Sequence, residues 1–454
     1  MKRALIVALV TGLPAGAAWS RSSEAAATAS ASDPAPVTQE SLAATTAPPW
    51  NPPSAMPSRR AWEHVVLFPG TLLSLPLLPV RVLIEDRLAW GESKGLVPMG
   101  PQVRPDLGQR PQWSVSPPHL GGRAGFGASV EYRQRVMSGA ELGVRYAGTI
   151  RDYTGTFVRL TGRPLGLVYG STWRPEERFY GIGAATPEEG RSSYASRAEF
   201  MRLEATTEKP PDDSFKARTA LAGWVETRYQ VMRTGRDSEF PSWDTTFPGL
   251  ASDILDRDVE HLVYGVSVLN DSRSGEPHWS RGTRFMASAE RHDAPRPGLA
   301  LHVGSATGAQ FNRYTLEGET GTSFGRNPRT LRVLARVVDQ DITANDDRML
   351  MTDLSTLGGT TGLAGFHQGR FYDVDLLHLK TSYIFPVSRR LELDLHSEWG
   401  SVYGDVWRDA KFTNLHNTYG ASLRLVYVSG PVAAIGVNFS PEGARISYSV
   451  GRIE

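Results

Sequence analysis

The residue types that could do chemistry are scattered along this 454-residue chain rather than gathered at motif spacing. Asp339-Gln340-Asp341 and Asn345-Asp346-Asp347 carry oxygen ligands that could hold Ca²⁺ if the two stretches converge, although a solvated acidic loop explains the same residues. Glu208, Asp212 and Asp213 stand in a Pro-Pro loop and read the same way. The ten histidines form no HExxH pair, no phosphate-binding P-loop is present, and Gly304-Ser305-Ala306-Thr307-Gly308 is out of register for a nucleophile elbow. There is no Cys, which removes thiolate zinc sites, a Cys nucleophile, disulfides and N-terminal Cys lipidation. No enzyme, metal or cofactor is expected. Trp224 and Trp399 read as packing or interfacial girdle residues rather than ligand platforms.

One segment stands apart. It runs Leu357-Gly358-Gly359, then Thr361-Gly362-Leu363-Ala364-Gly365-Phe366-His367-Gln368-Gly369-Arg370-Phe371-Tyr372-Asp373. A loop this rich in Gly is costly to order. Backed by strands that alternate polar and apolar residues, it suggests a loop folded back into a large barrel.

The elements around it read as strands. Leu391, Leu393 and Leu395 alternate with Glu392, Asp394 and His396, and Ala444, Ile446, Tyr448 and Val450 with Arg445, Ser447 and Ser449. The period-two pattern begins near Arg123 and persists to the end of the chain. Sixteen strands are expected: 124–134, 140–150, 154–162, 165–174, 195–205, 217–229, 260–271, 281–292, 298–305, 310–320, 328–339, 374–386, 389–400, 417–428, 431–440 and 443–451. An even count suits a bacterial membrane barrel, whose strands keep mean hydropathy low because only one face meets lipid. A soluble sandwich shares the alternation. The aromatics at strand ends (Tyr132, Tyr146, Tyr383, Phe385, Tyr427) and the length of the series favour the barrel.

Upstream, Lys2 and Arg3 precede the apolar run Ala4 to Val10, and small residues follow, so 1–18 reads as a signal peptide. Residues 19–60 are Ala/Ser/Thr/Pro-rich and read as a disordered linker. Residues 61–120 read as a periplasmic or interfacial segment, and 121–454 as the barrel. Val65 to Val80 lacks charge, but Pro69, Pro76 and Pro79 break it, so a short amphipathic helix from about Pro79 to Trp90 is expected instead of a spanning one. The net charge of +1 does not suggest nucleic acid as a partner.

Five stretches in this order resemble the BamA/TamA-like outer-membrane assembly-factor superfamily, also called the bacterial surface antigen family, over roughly residues 120–454. Arg178-Phe179-Tyr180-Gly181-Ile182-Gly183 resembles its aromatic-Gly-x-Gly turn. Asn270-Asp271-Ser272-Arg273, with Pro277, Arg281 and Gly282, resembles its DxRxxxxPxxG hairpin. Leu363-Ala364-Gly365-Phe366, with Gly369, Arg370, Phe371 and Asp373, resembles the loop bearing its RGF motif. Glu398-Trp399-Gly400-Ser401-Val402-Tyr403 resembles its DxGxV-aromatic motif, and Tyr419 through Gly451 its closing hairpins. The resemblance implies a sixteen-stranded barrel with the motif loop between the eleventh and twelfth strands, where this count places it.

Two departures matter. The family's loop Arg, which in relatives reaches toward the Asp of the DxGxV motif, is Ala364 here, and that Asp is Glu398. Arg370 could substitute. By parity Glu398 shares a polar face with Glu392, Asp394 and His396, and Lys380 lies on a polar face of the preceding strand. A lumenal cluster of Glu392, Asp394, Glu398, Lys380 and Arg370 is therefore expected, since buried charges are tolerated when paired; charges that merely line a wet lumen are the alternative. Relatives also carry periplasmic POTRA modules before the barrel, and the Pro-rich segment here shows no such pattern.

The resemblance implies a Gram-negative outer-membrane protein that inserts or translocates protein or lipid through a weak seam between first and last strands. Its partners would be the outer-membrane lipid bilayer, unfolded outer-membrane or exported clients, and a separate periplasmic protein; a monomer is expected. A passive pore or structural barrel is the alternative.

Overall fold

Residue 111 opens the described part of the computed structural model, which reaches residue 450 with breaks at 117, 119, 121–122, 138, 163, 208–217, 238, 251–257, 274–280, 295–300, 303–305, 308, 325–328, 344–348, 389 and 428–429. The expected signal peptide, linker and amphipathic helix lie outside these residues, as does any segment in POTRA position before residue 111.

Sixteen antiparallel strands follow one another round a barrel: β1 (Gln112–Ser116), β2 (Gly127–Met137), β3 (Ala140–Thr149), β4 (Thr154–Thr161), β5 (Leu165–Phe179), β6 (Ser192–Thr206), β7 (Arg218–Thr234), β8 (Val259–Asp271), β9 (Gly282–Asp293), β10 (Phe311–Phe324), β11 (Arg329–Ile342), β12 (Asp375–Pro386), β13 (Leu391–Tyr403), β14 (His416–Tyr427), β15 (Gly430–Ser440) and β16 (Gly443–Val450). Ala306–Thr307 adds a parallel two-residue segment to the start of β8 and brings the sheet to seventeen. Phe126, just before β2, stacks on Tyr448 of β16 at 6.1 Å, which brings the two ends of the series together.

The strand count matches the expectation, but by two differences that offset each other. β1 lies in 112–116, inside the segment taken as interfacial. Its five residues are too few to show a period, and it is recognised by pairing, Gln112 with Arg133 through Ser116 with Ser129. Of the strand expected over 298–305, only two residues lie among those described, and neither is in a strand. Leu301 and His302 form a bend, and their backbone N–H groups donate to the Glu260 carboxylate instead of to a neighbouring strand. The motif loop therefore keeps its place between the eleventh and twelfth strands.

Alternation explains the wall. Outward positions hold exposed apolar residues, for example Leu165 and Leu167, Met201 and Leu203, or Ile446 and Tyr448. A soluble protein rarely leaves an apolar band this continuous in water, whereas a transmembrane barrel presents it to hydrocarbon. Inward positions hold charges that meet their opposites across the ladder. Arg202 faces Glu226, and Glu392 faces Arg424. Each such opposed pair adds roughly 0.2–1 kcal/mol to strand pairing. On one rim the strands are joined by short connections (138–139, 162–164, 428–429) and on the other by long ones (180–191, 235–258, 343–374), as in outer-membrane barrels.

Candidate functional site

The connection from β11 to β12 folds inward. Ser355–Leu357 pairs antiparallel with Phe371–Asp373, and this small sheet closes the base of the loop. Leu357, Leu363, Phe366 and Phe371 bury against Val338, Leu376 and Val402 of the wall, forming an apolar cluster inside the barrel. Fully burying side chains of this size contributes about 1.5–3 kcal/mol each, enough to hold a Gly-rich segment in one conformation. Leu363 has φ of 59°, a left-handed conformation for a residue with a side chain, and is held by complete burial. Gly365 is required by close approach: a Cβ there would lie 2.7 Å from the carbonyl oxygen of Phe439. Gly400 of β13 plays the converse part on the wall. A Cβ there would meet the Leu377 carbonyl at 2.9 Å and the Leu357 side chain at 3.2 Å.

The loop has two polar attachments. The first is to the β12–β13 wall. Glu398, almost fully buried, accepts the backbone N–H of Ala364 on Oε2 at 3.0 Å, and its Oε1 lies 2.9 Å from Lys380 Nζ. His378 Nε2 stands 3.6 Å from Oε2. Lys380 and Glu398 are direct register partners, so the strand pairing itself sets this geometry. The position that resembles the family's loop Arg thus still meets the carboxylate that replaces the family's Asp, through its main chain.

The second attachment is to the last hairpin. Arg370 does not join Glu398, which corrects the expected five-residue cluster. Its Nε donates to Glu442 Oε1 at 2.6 Å, in the turn between β15 and β16. Nη1 donates to Thr186 Oγ1 at 2.8 Å and Nη2 to the Thr186 carbonyl at 2.7 Å. The guanidinium also lies over the rings of Tyr180 (4.7 Å) and Phe371 (4.8 Å). Nearby, Ser440 Oγ and Arg445 Nε both donate to the Gly365 carbonyl, at 2.9 and 3.0 Å. Arg445 Nη1 donates to His367 Nδ1 at 2.8 Å. Burial and then the charges of Arg445, Arg191, Arg123 and Arg370 push the His367 imidazole down to about 3, so it stays neutral and accepts this bond.

The remaining residues expected at the site divide. Glu392 and Asp394 pair with Arg424, at 3.8 and 3.6 Å, on the wall below the loop. Asp373 pairs with Ser355 in the small sheet, and its Oδ1 accepts the Val374 N–H. Gly369 supplies a turn with φ of 62° before Arg370. Of the Ca²⁺ candidates, Asp339 and Asp341 belong to β11, and Asn345-Asp346-Asp347 lie outside the described residues. Thr186, Glu442, Ser440, Arg445 and His416 were not foreseen as loop partners. His416 stacks on Phe371 at 4.1 Å and bonds the Ala184 carbonyl at 2.9 Å. These residues come from distant elements, and only Ser440, Glu442 and Arg445, inside the stretch matching the closing hairpins, carried any signal in the sequence.

The fold and site define a sixteen-stranded transmembrane barrel with an ordered loop bound inside it. No protein-family model and no curated protein matches the sequence. The chain is similar to the solved structure of BamA from Haemophilus ducreyi lacking POTRA domains 1–3, at 10% identity over 75% of this chain and 69% of that one, TM-score 0.49. It is also similar to CdiB from Escherichia coli (10% identity, 75% and 67% covered, TM-score 0.46) and CdiB from Acinetobacter baumannii (12%, 74% and 58%, 0.44).

Proposed function

We propose that this chain is a bacterial outer-membrane barrel that inserts or translocates protein or lipid, performs no enzymatic chemistry, and opens at the seam where β16 returns to the first strands. The observation that carries this reading is the double attachment of the in-folded loop. One end of its tip is bonded to the β12–β13 wall through Glu398, the other to the β15–β16 hairpin through Arg370, Ser440 and Arg445. Release of the second attachment would free the hairpin bordering the seam while the first kept the loop in place. The short β1, against eleven residues in β2, leaves little ladder to break on the other side. An opened edge pairs readily with an incoming client strand. The exposed apolar outer face sets the protein in a bilayer, as a monomer in this reading, with a separate periplasmic protein delivering clients.

The absence of Cys allows a clean test. Cysteines replacing Phe126 and Tyr448 are joined by a short thiol crosslinker in protein reconstituted into liposomes, and the folding of an added unfolded outer-membrane protein is followed. The expected result is accelerated client folding that is lost on crosslinking and regained when the crosslink is cleaved. Steady ion conductance with no gain in client folding would instead establish a passive pore.

A further inference from the structure

A second polar group on the long-loop rim lies beside the loop and shares with its attachments only the ring of Tyr180. Arg178 lies near the end of β5, Arg191 just before β6, and Phe240 in the connection from β7 to β8. The guanidinium carbons of Arg178 and Arg191 lie 4.6 and 3.8 Å from the centroid of the Phe240 ring. Tyr180, 1% exposed, sits beside Arg191 and stacks on His367 at 6.2 Å. The Tyr180 hydroxyl and the Nε atoms of Arg178, Arg191 and Arg123 are buried and have no hydrogen-bond partner among the protein atoms.

Buried donors without acceptors are rare in folded proteins and costly. Two of the nearby carboxylates are committed elsewhere. Asp237 pairs with Arg123 at 3.0 Å and Glu442 with Arg370 at 2.6 Å, while Glu188 stands 3.9 Å from His367. Among the described residues, no ion pair joins a carboxylate to Arg178 or Arg191. Arg445 spends its bonds on Gly365 and His367. The rim thus gathers cations in excess, all against an aromatic floor, and remains partly open to solvent because Arg178, Arg191 and Arg445 are only half-buried.

We propose that Arg178, Arg191 and Tyr180, backed by Phe240, form a binding site for a phosphate monoester or inorganic phosphate at the long-loop mouth of the barrel. Phosphate suits these donors better than a carboxylate. Both anions accept two parallel bonds from one guanidinium, but only phosphate, with its tetrahedral oxygens, has acceptors left for a second guanidinium and a hydroxyl from other directions. His367 is depressed first by burial and then by the charges of Arg445, Arg191, Arg123 and Arg370, so Arg191 adds to a positive field there. Two sources share this chemistry, free phosphate and the headgroup of a phosphorylated membrane lipid.

The test uses the full-length protein in detergent. Binding of inorganic phosphate is read by ³¹P line broadening at constant ionic strength, with chloride as the reference salt. In a second arm, phosphatidylcholine vesicles with and without phosphatidic acid are compared by co-flotation. Arg191→Gln is expected to weaken phosphate binding roughly tenfold and Arg178→Gln to act similarly, while Arg191→Lys, which keeps charge but loses the fork, retains part of it. Arg408→Gln, at an exposed position of the short helix Val406–Asp409, is expected to change nothing. Binding in the first arm alone assigns free phosphate, and binding in both assigns the lipid headgroup as well. Equal broadening in the Gln variants and the native protein, or no preference for phosphate over chloride, would overturn the proposal. Should a Gln variant not fold, Arg191→Lys and the phosphate-to-chloride preference of the native protein decide it.

Discussion

Arg370 and Glu442 stand 72 residues apart in sequence and 2.6 Å apart in space, and their pair fastens the in-folded loop to the last hairpin of the barrel. Both are largely buried, and the guanidinium is otherwise saturated by Thr186. Removing one partner of a buried pair strands the other, at about 3–5 kcal/mol. Arg370→Ala is therefore expected to lower the temperature at which the protein changes mobility in detergent gels. Arg370→Lys is expected to lower it less, since it keeps the charge but loses the fork to Thr186. An unchanged transition in Arg370→Ala would show that the loop does not depend on this pair.

Glu398 joins Ala364 to Lys380, so its two oxygens have separable duties. Glu398→Gln keeps an acceptor for the Ala364 N–H but leaves Lys380 without its charge partner. The double variant Glu398→Gln/Lys380→Met is expected to be more stable than Glu398→Gln alone. A double-mutant cycle on denaturant unfolding should show a coupling of about 1 kcal/mol or more, and strict additivity would mean that the pair contributes nothing.

Acid should loosen the loop through His367. Its folded-state value of about 3 lies below the ordinary 6.5, so between those values the unfolded chain binds the proton and the folded one does not. Stability from this group is complete above about 6.5 and falls as pH drops toward 3. Melting temperature is expected to decline over that window, and His367→Gln, which removes the titration, to flatten this part of the decline. An identical pH profile in the variant would exclude His367 as the source.

Gly365 has no room for a side chain against Phe439. Gly365→Ala is expected to cost roughly 1–3 kcal/mol by displacing the loop from β15. Hydrogen exchange at Ala364 and Phe366 should rise in the variant while the β6–β8 wall stays protected; protection unchanged throughout would show that the loop tolerates the displacement.

The outer face has its own test. Ile435 is exposed on β15, so Ile435→Arg places a charge toward lipid. Folding into lipid vesicles is expected to weaken by about 2–4 kcal/mol if the position lies near the bilayer centre, as its mid-strand place implies. A neutral effect would put this face in water.

The period-two pattern alone determined that the wall is made of strands and which residues point outward. Parity depends only on the local pleat, so Glu392, Asp394, Glu398 and Lys380 were placed on inward faces before any strand was paired. The same locality explains the failures. β1 is too short to display a period, and Leu301 and His302, the two described residues of 298–305, bend toward a carboxylate of β8, which no local pattern encodes. Glu398 and Lys380 meet because adjacent strands have a fixed register. Arg370 lies on a loop whose course is set by burying Leu363, Phe366 and Phe371, and that course carries it past the nearer β13 carboxylates to Glu442 and Thr186. Sequence determined that the Gly-rich segment from Leu357 to Asp373 belongs inside a barrel. Only the tertiary structure decided what holds it there, because both attachments join groups that lie far apart along the chain and become neighbours only when the sheet curls round the loop.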